Sequence, residues 1–206
     1  MPNWNLTEII CVLDKSGSME PLAGEVITSF NHFIDEQSQA PGGARVTLVL
    51  FDTRYVTLYR SQSLLLVPRL SSRDYVAHGF TSLLDAVGNA IDLCGEEFAA
   101  RPEPDQPGRV LVLIMTDGKE NASREYTKAQ IVERIARQRR QWHWEFVFTG
   151  ANIDAFVEGH GLGVSHQNTA NFRPTAEGVR HMFAGVSNAT LCYRAGGTAT
   201  LDNQQY

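Results

Sequence analysis

Ile9-Ile10-Cys11-Val12-Leu13-Asp14-Lys15-Ser16-Gly17-Ser18 is the stretch on which the fold turns. Five apolar residues run without a break and stop at an aspartate. An apolar run without alternation suits a strand buried on both faces, as in a parallel sheet. Ser18 and Pro21 then carry helix-start chemistry, and Leu22, Val26, Phe30, Phe33 and Ile34 recur at helical spacing. A second run of the same kind, Val110–Met115, is the most apolar in the chain and also ends at an acid, Asp117.

Outward from these two runs the elements alternate. Val46–Phe51 reads as a strand, and only Asp52–Arg54 separate it from a further strand, Tyr55–Tyr59. A parallel crossover needs about a dozen residues or more, so this pair is expected to be an antiparallel hairpin. Ser71–Gly79 reads as a loop or short helix. Leu83, Leu84, Val87, Ala90, Ile91 and Cys94 mark a helix, with Ser82-x-x-Asp85 a near match to a capping box at its start. Arg101–Gly108 reads as a loop. A helix is expected at Thr127–Arg140, a strand at Glu145–Phe148, a short helix at Asp154–Glu158, a weak strand at Val164–Ala170 and a last helix through Ala176, Val179, Phe183 and Val186.

That order predicts a doubly wound, Rossmann-like α/β fold. Its mostly parallel six-stranded sheet, ordered 3-2-1-4-5-6, would carry helices on both faces and one antiparallel strand at an edge. Ligands in such sheets bind beyond the carboxyl ends of the strands, where the order reverses, here between the first and fourth strands. Asp14 and Asp117 end those strands. The expected organisation is one domain over residues 1–193 and a polar tail over 194–206.

Composition narrows the function. The 206 residues hold 18 lysines and arginines against 23 aspartates and glutamates, a formal net charge of −5, which gives no overall attraction to nucleic acid or to anionic lipid. Cys11, Cys94 and Cys192 are scattered and form no C-x-x-C pair, so neither a disulfide scaffold nor a zinc ribbon is expected. Met1–Thr7 does not read as a signal peptide, and no run approaches a membrane span. The expectation is a cytoplasmic protein with reduced thiols.

Asp14-Lys15-Ser16-Gly17-Ser18 places one carboxylate and two hydroxyls on a tight loop. Oxygen donors of this kind suit a hard divalent cation. D-x-S-x-S after the first strand resembles the metal-ion-dependent adhesion site (MIDAS) of the von Willebrand factor A (vWA) family. Gly79-Phe80-Thr81-Ser82 before the third helical segment and Met115-Thr116-Asp117-Gly118 after the fourth strand match the rest of that pattern. The resemblance covers roughly residues 7–190. It implies the metal site Asp14, Ser16, Ser18, Thr81 and Asp117, with Ser16, Ser18 and in some states Thr81 on the metal and the two aspartates acting mostly through water. It also implies Mg2+ or Mn2+ ahead of Ca2+, and a partner protein supplying an Asp or Glu carboxylate to the open position. Thr116–Tyr126 and Gly150–Ala155 resemble a bacterial subgroup of single-domain proteins similar to the tellurium-resistance-associated group.

Competing readings remain at this stage. The alternative is a metal-dependent hydrolase or phosphatase in the Asp14/Asp117 crevice, with Lys15 or Lys119 as the cationic clamp that phosphoryl transfer requires. Against it, no paired aspartates stand at Asp14 and Ser16. No G-x-x-x-x-G-K-[ST] or G-x-G-x-x-G loop is present for a nucleotide. Asp85 is read as a cap that could also touch the site, and Glu120 and Asn121 as rim residues or loop organisers. Lys128, Arg134, Arg137, Arg139 and Arg140, with Trp142 and Trp144 beyond, are read as cations complementing a helix C-terminus rather than a nucleic-acid groove. His78 is the histidine nearest the motif.

Overall fold

The computed structural model describes residues 1–201. Six strands form one sheet: β1 (Asn3–Asp14), β2 (Gly43–Phe51), β3 (Tyr55–Ser63), β4 (Pro107–Thr116), β5 (Glu145–Gly150) and β6 (Thr169–Asn171). The strand order is β3-β2-β1-β4-β5-β6. All neighbours are parallel except the β2–β3 hairpin. The helices are α1 (Ala23–Gln39), α2 (Leu83–Ala100), α3 (Lys128–Trp142), α4 (Ala155–Gly161) and α5 (Ala176–Arg194). The doubly wound α/β architecture expected from the sequence is the one observed. No helix among the described residues is long and apolar enough to cross a membrane.

The unbroken apolar runs follow from the layering. Ile9, Cys11 and Leu13 of β1 face one core with Phe30 and Phe33 of α1 and Met182 and Phe183 of α5. Ile10 and Val12 face the other core, with Val87 and Ile91 of α2 and Ile131 and Ile135 of α3. Successive side chains of a strand point to opposite faces, so a strand covered on both sides must be apolar at every position.

Differences from the sequence reading lie where polar residues are buried. β1 begins at Asn3 because Thr7 and Glu8, although polar, are enclosed. Glu8 accepts hydrogen bonds from Thr47 Oγ1 at 2.9 Å and Ser61 Oγ at 2.7 Å, tying β1 to both strands of the hairpin. Ser61 has φ +44°, and β3 runs on to Ser63 past an irregularity in its pairing. β4 starts at Pro107, inside the expected loop. The weak strand expected at Val164–Ala170 is confined to β6, behind a helical turn at His166–Asn168. The stretch read as a polar tail is different as well. Arg194 closes α5, Ala199 and Leu201 are buried against the α1/α5 core, and Leu201 N donates to Gln167 O at 2.8 Å. Residues 202–206 of that tail lie outside the described residues.

Burial pushes the Glu8 carboxyl up from 4.5 to about 7, with the Ser61 and Thr47 hydroxyls opposing the shift. Between these two values the unfolded chain gives up a proton that the folded chain keeps. Stability therefore falls as pH rises through that window and levels off above it. Glu8→Gln is expected to raise stability at pH 8 by on the order of 2 kcal/mol and to change it little at pH 4. Urea unfolding at the two pH values measures this, and an equal effect at both would contradict it.

Candidate metal centre

β1 and β4 are adjacent and parallel, paired Leu13↔Met115 at their last register position. Their carboxyl ends therefore deliver Asp14 and Asp117 to the same edge of the sheet. The chain leaves β1 for α1 and β2 on one side, and leaves β4 for α3 and β5 on the other, so the two loops part and open a crevice.

Asp14 is fully buried. One carboxylate oxygen accepts from Ser16 N at 2.7 Å, and the other accepts from Thr116 Oγ1 at 2.6 Å. Its main-chain carbonyl accepts from Tyr75 OH. Ser16 Oγ lies 3.2 Å from Ser18 Oγ, and Ser18 Oγ donates to Asp117 Oδ1 at 2.7 Å. Ser16 thus joins the two strand ends, taking Asp14 through its amide and reaching Asp117 through the Ser16 and Ser18 hydroxyls. Burial raises the Asp14 carboxyl to about 6, with the Asp117 charge adding to the rise. Burial also raises Asp117, against the Ser18 hydroxyl. Two carboxyls held this way favour a nearby positive charge.

Thr81 joins the group through the backbone. Its N donates to Asn121 Oδ1 at 2.9 Å, and its carbonyl accepts from Asn121 N at 3.0 Å and Ala122 N at 3.2 Å. A Cβ placed on Gly118 would lie 3.3 Å from Thr81 Oγ1, so the hydroxyl sits against the residue after Asp117. Gly17 N donates to Gly79 O at 3.1 Å and joins the serine loop to the Thr81 loop. All five residues singled out in the sequence, Asp14, Ser16, Ser18, Thr81 and Asp117, are brought to one place from three loops.

Asp52, which the sequence reading passes over as part of a turn, organises these loops. Its carboxylate forms a buried ion pair with Lys15 and lies 3.1 Å from His78 Nδ1. It also accepts from Arg54 N at 2.9 Å. Its carbonyl accepts from Ser82 N at 2.8 Å and Ser82 Oγ at 2.7 Å. His78 N in turn donates to Lys15 O at 2.9 Å. Lys15 is thereby committed, and Lys119 is the exposed lysine of the two considered as clamps. The one signal for Asp52 in the sequence is that it ends an apolar run as Asp14 and Asp117 do.

One local reading changes, and for Glu120 and Asn121 the loop-ordering alternative is the one observed. Asp85 does not build a capping box with Ser82, whose hydroxyl goes to Asp52. The Asp85 carboxylate accepts from Arg124 N at 2.8 Å and from Glu125 N and Tyr126 N at 2.9 Å, so it holds the loop after β4. Glu120 and Asn121 order the same region. Glu120 accepts from Leu84 N at 3.0 Å, at the start of α2, and from Ala122 N and Ser123 N at 2.9 and 2.7 Å. On α3, Arg134 pairs with Asp92 at 3.0 Å, Arg139 donates to Gly163 O at 3.1 Å and Trp144 is buried. No cluster of three or more His, Cys, Asp or Glu side chains among the described residues is placed to hold a metal ion. The donors gathered here are hydroxyls and two carboxylates, a set suited to a hard cation.

No family model matches the chain, and no curated protein does. Solved structures do match. Proximal thread matrix protein 1 from the mussel byssus, with a zinc-occupied MIDAS motif, is similar at a TM-score of 0.65 and 15% identity, over 93% of this chain and 47% of that one. Manganese-loaded Plasmodium vivax TRAP protein is similar at 0.55 and 17% identity, over 82% and 69%. A von Willebrand factor type A structure from Catenulispora acidiphila is similar at 0.58 and 16% identity, over 93% and 43%. The chain spans about half the length of the mussel and Catenulispora chains. At these identities the likeness shows the fold.

Asp52→Asn leaves the Lys15 ammonium buried without a counter-charge and is expected to cost about 3 kcal/mol. Replacing both partners, Lys15→Met with Asp52→Asn, is expected to recover a large part of that loss. Denaturant midpoints of the single and double variants measure the coupling, and additive losses would show that the pair is not what holds the loops.

Proposed function

We propose that this chain, which has the von Willebrand factor A fold, binds a divalent cation at Asp14, Ser16, Ser18, Thr81 and Asp117 and uses it to capture an acidic side chain of another protein. The observation that carries the reading is the run of hydrogen bonds that links the Asp14 carboxylate through the Ser16 amide, and the Ser16 hydroxyl through Ser18 to the Asp117 carboxylate, placed where the sheet order reverses. Ser16, Ser18 and Thr81 would hold the ion directly, and Asp14 and Asp117 would act mostly through water. Mg2+ or Mn2+ is the expected ion, ahead of Ca2+. Zinc in the mussel protein and manganese in TRAP support a divalent cation on this fold.

Bound there, the metal supplies a Lewis-acidic position for a carboxylate. Around it this chain's residues hold and orient. Thr116 and the Ser16 amide fix the Asp14 carboxylate, while Asn121 fixes the backbone of Thr81. Of the two lysines that could clamp a phosphate, Lys15 is locked to Asp52, which leaves Lys119 alone for that role and supports binding ahead of hydrolysis. The proposed setting is the bacterial cytoplasm, with nucleic acid and membrane not among the partners. The thiols of Cys11 and Cys94 are buried, in keeping with a reducing compartment.

Asp14→Asn keeps an acceptor for Ser16 N while removing a buried charge that burial disfavours. The metal-free variant is expected to melt at or above the wild-type temperature and to lose the manganese-induced rise in Tm and the saturable heat of manganese binding. Calorimetric titration of both proteins tests this. Equal manganese binding by the variant would refute the site, and manganese-dependent turnover of p-nitrophenyl phosphate that disappears in the variant would favour the hydrolase.

A further inference from the structure

The rim of the candidate site carries a large apolar side chain that the fold does not use. Phe80 is 66% exposed although its neighbour Thr81 is buried. Its backbone is held rigidly. Phe80 N donates to Thr53 Oγ1 at 2.9 Å, and Gly79 adopts φ +73° with so little room that a Cβ there would stand 2.5 Å from that hydroxyl oxygen. Val76, four residues earlier on the same loop, is 51% exposed. With the backbone already fixed, covering the ring orders only the two side-chain torsions of a phenylalanine, which keeps the cost of binding there small.

Charge says what kind of partner fits. Arg54 follows the threonine that holds Phe80, and Lys119 follows the glycine that lies against Thr81. Both are exposed, and neither has an ion-pair partner among the described residues. The acids beside them are turned inward. Asp52 is paired with Lys15, and Glu120 accepts from three backbone amides. In a chain of net charge −5, Arg54 and Lys119 are exposed cations on the two loops that adjoin the Phe80 loop.

We propose that Phe80, with Arg54 and Lys119 on the adjoining loops, selects a partner segment in which a large apolar side chain and a further acid stand beside the captured carboxylate. The inference rests on the metal-site reading and names the partner class for that site. The apolar side chain covers the Phe80 ring, and the second acid meets Arg54 or Lys119. A bare carboxylate would gain only the metal contact.

Two blocked peptides serve as probes, acetyl-Gly-Asp-Leu-Glu-Gly-amide and acetyl-Gly-Asp-Ser-Glu-Gly-amide. Manganese binding to the protein is measured first by calorimetry. Each peptide is then titrated with manganese-loaded protein, and paramagnetic broadening of its aspartate protons reports binding at the ion. The leucine peptide is expected to bind about ten-fold more tightly than the serine peptide, a difference of about 1.4 kcal/mol. Phe80→Ser is expected to abolish the preference and leave manganese affinity unchanged. Equal binding of the two peptides, a preference that survives in Phe80→Ser, or no binding of either to manganese-loaded protein overturns the inference and leaves the metal site standing. Failure of manganese itself to bind overturns the metal-site reading and this inference with it.

Discussion

The parallel pairing of β1 with β4 is the constraint on which the rest depends. Both strands sit at the centre of the sheet, covered on both faces, and their register places the last residues of each at one height. Two acids that stand 103 positions apart by their numbers, Asp14 and Asp117, are neighbours for that reason. Parallel strands joined by helices send every strand-to-helix loop to the same edge. The Thr81 loop and the Asp52 turn arrive there too. The site is therefore a property of the topology first and of its residues second.

Gathering acids at a covered edge works against stability. Asp14 and Asp117 both resist ionisation through burial. The loops are nevertheless held in place by buried polar groups, Lys15 with Asp52, Thr116 on Asp14 and Asp85 on backbone amides, and by the half-buried Glu120 on amides of its own. Each of these groups satisfies a donor or acceptor that an irregular loop would leave unpaired. The helices and strands supply the apolar burial that tolerates such an arrangement. A rigid, charge-strained edge on an apolar sandwich is the general form of a preorganised binding site.

How much of this could be read from the sequence differs from residue to residue. Asp14 and Asp117 were legible because each interrupts an apolar run abruptly. The antiparallel third strand was legible because a three-residue connection admits only a hairpin, and the sheet order because an alternating chain of this kind commonly adopts 3-2-1-4-5-6. Ser16, Ser18 and Thr81 stood out through their likeness to a known pattern, since hydroxyls in loops have no periodicity of their own. Asp52 was hidden because an acid in a two-strand turn is ordinary there, and its partners Lys15 and His78 are distant in the chain. Glu8 was hidden for the opposite reason. Local patterning takes a polar residue as the end of a strand, and only the hydroxyls of Thr47 and Ser61, on two other strands, make its burial possible. The return of Ala199 and Leu201 to the core was illegible in a stretch of small and polar residues.

The placement of the site at the strand ends also has a mechanical meaning. β1 is bonded over nine consecutive register positions to β2 on one side and over a comparable length to β4 on the other. A pull applied at Asp14 along the strand axis loads both ladders in shear, so that many hydrogen bonds share the force at once instead of opening one after another. The short three-residue β6 lies at the far edge, away from β1. The loops of the site are thus anchored to the most extensively bonded strands of the sheet.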